Sequence, residues 1–484
     1  MRLFFSILLL FAIAVPSRAA ETTNAIRSLT IRDCIDRALA ANLDIKLQRV
    51  NLPVADWNVV QALSVFDPTL TGGARYGDTA TPYATNSLLD TRQVALNAGL
   101  AGKFETGTGY SLDANFDHTS PAFLPYTGGP AMTLTQPLLK NFGTEPNLAL
   151  IRVARKQRGI AEQYFIQQVM TTITAVENAY YELIYAIENH KAAVEDLDRA
   201  KQLLTEDRKR VQIGTLSPLD VVQAESGVAG SVNAVIIAER TIKDNENTLK
   251  RLITQNVLEF ASESLVPVNY PKFEAVEPNV TNHIRTALEK RPDYLAAKEE
   301  LERRNILIKF TKNQLLPEVD LQGSVGVGGY GRTYGRYNDS IGDVSYPAWG
   351  IGVAVTLPLG NRSARANYNI ARLQSDQQVI AMKILEQDII VAVDNALRRV
   401  QSNLKSIDAT EAASRLAAES LKAEETKLRA GTSTSFLVLQ AQSVLAAAKS
   451  AEIRTRADYA ESLAALAQAE GRTLQRHTIV LDNK

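Results

Sequence analysis

Two periods alternate along this chain. Asn361 to Ala430 is a run of 70 residues with neither Gly nor Pro, and Thr432 to Glu470 is a second uninterrupted run. At 1.5 Å per residue the first predicts a helix of about 100 Å. Earlier in the chain, Asn147 to Ile213 holds one Gly, at 159, and Leu219 to Val257 holds two, at 227 and 230. Lengths beyond about 25 residues imply packing of the coiled-coil kind. Ile187, Val194, Leu197, Leu204 and Val211 keep heptad spacing, as do Ile407, Leu421 and Leu428. The alanines between them, such as Ala412, Ala413, Ala417 and Ala418, let neighbouring helices approach closely.

Between the helical runs the period falls to two. Val94, Leu96, Ala98 and Leu100 alternate with Gln93, Asn97 and other small or polar residues; after Thr106-Gly107-Thr108-Gly109, Tyr110, Leu112, Ala114 and Phe116 alternate with Ser111, Asp113, Asn115 and Asp117. The alternation recurs at Leu70 to Tyr76, Met132 to Gln136, Val319 to Gly329 and Trp349 to Leu357. It predicts strands with one apolar and one polar face, as the wall of a water-filled membrane barrel or a half-buried soluble sheet requires. Aromatics near the strand ends, Tyr76, Phe104, Tyr330, Tyr346 and Trp349, suit the interfacial girdle of a membrane wall.

The first 20 residues add a destination. Arg2, the apolar run Leu3 to Val15 and then Ser17-Arg18-Ala19 have the parts of a cleaved secretory signal, so the mature chain is expected to begin near Ala20 or Glu21. No later stretch is expected to form a membrane-spanning helix, which leaves strands to make any crossing. Cys34 is the single cysteine, so no intrachain disulfide forms. Lys plus Arg and Asp plus Glu both total 53, giving no basic field for nucleic acid.

The pattern also repeats. Gly214-Thr215-Leu216-Ser217-Pro218-Leu219-Asp220-Val221-Val222-Gln223-Ala224 matches Gly431-Thr432-Ser433-Thr434-Ser435-Phe436-Leu437-Val438-Leu439-Gln440-Ala441, and Gln136-Pro137-Leu138 answers Leu357-Pro358-Leu359. Each half reads helix, Pro, strands, Pro-Leu, long helix, tight Gly turn, helix. Gly214 and Gly431 stand where one helix must stop, and Gly permits the left-handed residue such a stop takes. Ser217 is the expected cap of the next helix, with Pro218 in its first turn and Asp220 three residues on; Thr434 is the equivalent cap. On this reading alone the tips are efficient helix caps and nothing more.

Taken in order, Leu29-Thr30-Ile31, Gln136-Pro137-Leu138-Leu139, Ala179-Tyr180-Tyr181-Glu182-Leu183, the Gly214 turn, Arg291-Pro292-Asp293, Leu315-Leu316-Pro317 and the Gly431 turn resemble the outer-membrane efflux proteins, the TolC-like channels, over nearly the whole mature chain. The resemblance implies a mixed α/β membrane protein with a two-fold internal repeat. A long α-helical periplasmic barrel would join an antiparallel transmembrane β-barrel completed by trimerisation. The expected organisation is a signal peptide at 1–20, then a first repeat at 21–257 with strands within about 68–136, helices at 144–213 and 217–257 and a tip at 214–218. An equatorial linker follows at 258–279. A second repeat at 280–471 has a helix at 280–314, strands within about 318–358, helices at 362–430 and 434–470 and a tip at 431–435, and an equatorial tail occupies 472–484.

By the same resemblance the protein is the homotrimeric exit duct of a tripartite efflux or type I secretion system in the outer membrane. It would receive cargo from an inner-membrane pump of RND, ABC or MFS type through a periplasmic adaptor (membrane fusion) protein. Gly214, Thr215, Leu216, Ser217, Pro218, Gly431, Thr432, Ser433 and Thr434 would dock the adaptor, and Asp220, Gln223, Leu437 and Gln440 would line the pore constriction. Relatives often carry acids six and nine positions after the second Gly; Leu437 and Gln440 stand there instead, and Ser433 stands where a locking Arg can occur. The mouth is therefore expected to close on apolar and amide side chains, with Asp220 as its one carboxylate.

A second departure concerns the wall. The family pattern has two strands per half, whereas the first half here has room for four, near 69–76, 93–104, 109–117 and 131–136. Gln93 to Asp117 either joins the wall, giving about 18 strands per trimer in place of 12, or folds as a hairpin outside it. The rival to the channel is a periplasmic coiled-coil adaptor or scaffold, which would have no use for six alternating strands.

No catalytic, cofactor or metal site is expected. His118, His190, His283 and His477 lack ligand spacing. Gly326-Val327-Gly328-Gly329-Tyr330-Gly331 matches a dinucleotide pattern formally, but a loop is expected to follow it where the phosphate-binding helix should begin. Paired carboxylates fall within charged helix faces that read as solvated surface.

Overall fold

A computed structural model describes residues 26–83, 87–260, 263–268 and 279–481. The signal segment, most of the expected equatorial linker and the end of the C-terminal tail lie outside the described residues.

In chain order the elements are β1 (Ile26–Leu29), α1 (Ile31–Ala41), α2 (Leu43–Leu63), β2 (Thr69–Tyr83), β3 (Ser87–Lys103), β4 (Gly109–Ser120), β5 (Tyr126–Pro137), α3 (Thr144–Asn147), α4 (Ala149–Gln212), α5 (Pro218–Ile253) and β6 (Ser264–Pro267). There follow α6 (Val280–Lys290), α7 (Pro292–Asn313), β7 (Glu318–Val327), β8 (Gly329–Gly331), α8 (Tyr334–Gly342), β9 (Pro347–Thr356), α9 (Arg362–Arg429), α10 (Ser435–Ala469) and α11 (Thr473–Arg476). The four long helices lie within a few residues of the Gly- and Pro-poor runs that predict them. Each ends where its sequence changes: α4 and α9 stop just before Gly214 and Gly431, and α5 starts on Pro218.

The chain divides into two compact units. One contains all the long strands together with α2, α6, α7 and the strand-proximal parts of α4 and α9. In it β2, β3, β4, β5, β7 and β9 form one antiparallel succession, with β8 paired to β5 off that path. Leu70, Leu100, Leu112, Met132, Val325 and Trp349 fall in register as one apolar row across all six strands. Ile351, Val353 and Val355 continue that face along β9, and Leu70 and Trp349 are 82% and 80% exposed. The opposite face carries Asn97 against Asn115 and Gly99 against Asp113. Such alternation, with large apolar groups left bare, is the pattern of a wall between lipid and water.

The hairpin Gln93 to Asp117 lies within this sheet: β3 pairs with both β2 and β4, and β4 with both β3 and β5. All four strands of the first half outrun the expected ranges: β2 reaches Tyr83, β3 begins at Ser87, β4 runs on to Ser120 and β5 begins at Tyr126. Three further expectations need correction. The helix expected over 280–314 is two, because Arg291 is extended (φ −67°, ψ 124°) ahead of Pro292, whose ring disfavours a helical residue before it. The loop expected after Gly331 contains α8, held by buried Tyr337 and Ser340, while the glycine run itself lies in β7 and β8. And α5 is, among the described residues, one helix long and apolar enough to cross a membrane, with a stretch of 18 residues at mean hydropathy 1.4 of which only 11% is buried. Val221, Val222, Val232, Ile236 and Ile237 raise it there, diluted by Ala, Ser and Gly rather than by charge.

The other unit contains β1, α1, β6, α5 and the tip-proximal parts of α4, α9 and α10. β1 and β6 pair in parallel, Ile26 with Ser264 through Leu29 with Pro267. The buried Tyr180 hydroxyl donates to the Leu29 carbonyl at 3.2 Å. On α9 the heptad positions Ile407, Leu421 and Leu428 are buried as expected. From Ile187 to the end of α4, where the expected heptads run, the buried positions are Ala200, Leu203 and Asp207, while Leu204 and its heptad mates are half-buried. The intrachain core thus runs one position off the expected stripe. Leu203, Ala417, Leu421, Leu428, Val438 and Leu445 close that core across three helices.

Candidate functional site

The α4–α5 and α9–α10 turns have the same backbone. Gly214 (φ +76°) and Gly431 (φ +77°) take the left-handed residue, with open space where a Cβ would stand, so backbone conformation alone selects Gly. The Gly214 N–H donates to the Val211 carbonyl at 3.0 Å and the Thr215 N–H to Arg210 at 2.9 Å. At the second turn Gly431 donates to Leu428 at 3.2 Å and Thr432 to Lys427 at 2.9 Å. This is the Schellman closure, and each Thr hydroxyl reinforces it by donating to the same carbonyl as its N–H.

The restarts differ. Ser217 caps α5 in a full capping box: its side chain accepts from the first turn, and its own N–H donates to Asp220 Oδ2 at 3.2 Å. Thr434 caps α10 more loosely, accepting from the Leu437 N–H at 3.4 Å, and no acid lies in the first turn of α10. Leu216 and Ser433 are half-buried, while Thr215, Ser217, Pro218, Thr432 and Thr434 are exposed. Ser433 Oγ donates to Glu424 Oε2 at 2.7 Å, and this bond, after that of Lys427, holds the Glu424 carboxyl below its ordinary range. Of the four residues expected at a constriction, Asp220 and Gln223 are half-buried in the first turns of α5, and Leu437 and Gln440 are exposed in those of α10.

Close to the turns, two side-chain hydrogen bonds among the described residues join the hairpins, and neither involves an expected site residue. Arg210 Nη1 donates to the Leu428 carbonyl at 3.0 Å, using an acceptor at the end of α9. Ser435 Oγ donates to Asp207 Oδ1 at 2.9 Å, with both residues 0% exposed. Burial pushes the Asp207 carboxyl above its ordinary value, against the pull of the Ser435 hydrogen bond and of Arg210. The only sequence sign of this pair was an acid on a helix face that turns inward one turn before the stop.

Further along the same unit Arg454 gathers three acids: Glu182 at 2.7 Å, Asp458 at 2.6 Å and Glu461 at 3.5 Å, with its guanidinium 5.1 Å from the Tyr185 ring. This cluster corrects the reading of such carboxylates as solvated surface. Burial first, then the charge of Glu182, pushes the Glu461 carboxyl up to about 7, with Arg454 opposing and Asp458 adding. In the strand-bearing unit His283 Nδ1 lies 2.5 Å from Glu470 Oε1 in a buried pair. Among the described residues no group of three or more His, Cys, Asp or Glu is placed to hold a metal ion.

An amphipathic sheet of spanning length together with paired helical hairpins defines a class, the channels of the bacterial outer membrane. The chain belongs to the outer membrane efflux protein family, which it matches over residues 34–255 and 283–472. It is 21% identical to nodulation protein T of Rhizobium leguminosarum bv. trifolii over 90% of this chain and 84% of that one. With the outer membrane efflux protein BepC of Brucella suis it shares 22% identity over 96% and 90%. Its fold matches the Campylobacter jejuni CmeC outer membrane channel with a TM-score of 0.71, 16% identity and coverage of 94% and 90%. The open-state MtrE channel of Neisseria gonorrhoeae gives 0.66, 21% identity, 93% and 91%. The protein is an outer-membrane efflux channel, and its relatives are channel proteins rather than enzymes. That family and the six-strand sheet set aside the adaptor reading.

Proposed function

We propose that three copies of this chain form the exit duct of a tripartite efflux or type I secretion system, passing solutes from an inner-membrane pump of RND, ABC or MFS type, through a periplasmic adaptor, to the exterior. The observation that carries this reading is a sheet with an exposed apolar face and two edges, β2 and β9, that no other strand pairs among the described residues. Lipid does not tolerate bare backbone donors and acceptors, so such a sheet must be closed by copies of itself. The exposed apolar residues of α5, Val222, Ile236 and Ile237 among them, suit a helix covered by a neighbouring copy better than one in lipid, since α5 starts from a polar, capped turn.

In this reading the chain is exported by a cleaved signal at residues 1–20, and its two halves are copies of one unit, at 21–257 and 280–471. The turns at Gly214–Pro218 and Gly431–Thr434 are the docking tips for the adaptor. Asp220, Gln223, Leu437 and Gln440 line the closed mouth. With Leu437 and Gln440 in place of acids, closure rests on apolar and amide contacts, and cation preference is weak. Outer-membrane fractionation, chemical crosslinking and conductance in planar bilayers test the reading. A membrane-resident trimer with discrete conductance steps is expected; a stable water-soluble monomer without conductance would overturn it.

A further inference from the structure

We infer that the membrane wall of this duct has 18 strands, the first half of each chain supplying four and the second half two, so that the exit is wide and sieving by size falls to the helical tips. This rests on the trimeric reading above.

The hairpin formed by β3 and β4 is built into the wall by its hydrogen bonds. Arg92–Lys103 pairs residue by residue with Gly109–Ser120, and Gly109–His118 pairs with Tyr126–Thr135 of β5. A hairpin laid outside the wall would leave β5 paired to β2, and here the two are separated by both strands. The facing is continuous as well. Leu96, Leu112 and Phe116 point to the side of Met132 and Val325, while Asn97, Asp113, Asn115 and Asp117 point to the other, so β3 and β4 obey the same lipid and water assignment as β5 and β7. A one-residue slip at either junction would put Asn or Asp against lipid, which fixes the register.

Closure follows from the edges. The six strands alternate in direction, so β2 and β9 are antiparallel, and β9 of one copy meets β2 of the next in the sense the rest of the sheet uses. The strand total is therefore a multiple of six, and three copies give 18. Barrel diameter grows nearly in proportion to strand number, so this wall is about 1.5-fold wider than one built from two strands per half, in the range where barrels enclose an open aqueous channel.

The test uses the full chain in lipid nanodiscs, with the buried native thiol of Cys34 replaced by serine. Single cysteines are introduced as Leu96→Cys, Leu112→Cys, Asn97→Cys and Asp113→Cys. A lipid-borne quencher should reach fluorophores at Leu96 and Leu112, a water-soluble thiol reagent should modify the cysteines at Asn97 and Asp113, and end-on electron-microscopic projections should show three-fold walls of 18 strands. A trimer in which the Leu112 and Asp113 positions both report water, with a wall about two-thirds as wide, would overturn the inference and leave the trimeric channel standing. A dimer closing 12 strands, or no oligomer, would overturn both.

Discussion

The two halves of the chain use one backbone plan at their turns and part ways in side chains and strand number. The first turn is self-sufficient: Ser217 and Asp220 satisfy the start of α5 between them. The second has a looser cap and leans on the first, through Ser435 to Asp207 and through the Leu428 carbonyl to Arg210. At the membrane the first half builds β2 to β5 and the second only β7 and β9 with the short β8. Stopping and restarting a helix is a local problem with one good backbone solution, so both halves keep it. What the turn holds and how many strands follow it depend on long-range partners, and there the halves differ.

The largest change to this comparison would come from making the halves alike. A chain lacking residues 87–120 leaves β2 to pair with β5, and its trimers are expected to project end-on with a wall about two-thirds as wide; an unchanged diameter would show that β3 and β4 stand outside the ring. Next, Ser435→Ala removes the donor that holds the buried Asp207 carboxylate and should lower stability by about 1–3 kcal/mol. Asp207 has a raised folded-state value, so the stability it contributes is complete at low pH and lost as pH rises. The deficit of the variant should therefore be larger at pH 7 than at pH 4 in thermal unfolding.

Glu461→Gln probes the Arg454 cluster. Its carboxyl titrates near 7 when folded against an ordinary 4.5, so its contribution is full below 4.5 and lost as pH rises through about 7. The wild-type melting temperature should fall across that window and the variant's should fall less, by an amount equivalent to roughly 3 kcal/mol; parallel curves would mean the group does not titrate there. Smallest is Asp220→Ala, which opens the capping box at about 1 kcal/mol. It should also bring the cation preference proposed here, read from single-channel reversal potentials, close to none. Strong preference that survives the substitution would place selectivity elsewhere.

Much of this was legible in the sequence because it is local. Runs free of Gly and Pro predict α9 and α10 to within a few residues, and the Gly-Thr pairs with Ser217 and Thr434 predict both tips. Alternation locates every wall strand, although it loses β3 before Gln93, where Ser87 to Arg92 no longer alternates cleanly. Pro292 carried the signal for the break between α6 and α7, because the residue before a proline avoids the helical region. The rest depends on partners distant in sequence. Nothing in Ile26–Leu29 announces Ser264–Pro267 as its mate. Asp207 and Ser435 meet only because two hairpins pack, and the Glu461 carboxyl feels the charge of Glu182, a residue of α4 far from it in sequence. Heptad spacing on α4 names a stripe one position away from the one this chain buries for itself.

The long ribbon of β2 and β3 has a practical consequence. At about 3.3 Å per residue its 15 and 17 residues measure about 50 Å, against about 33 Å for the ten residues of β9. The surplus, Gly77–Tyr83 beside Ser87–Gln93, lies at the end of the sheet opposite the helices and keeps its backbone pairing throughout. An epitope grafted between those two arms would stand clear of the bilayer on a stiff stalk, letting antibodies count these ducts on intact cells.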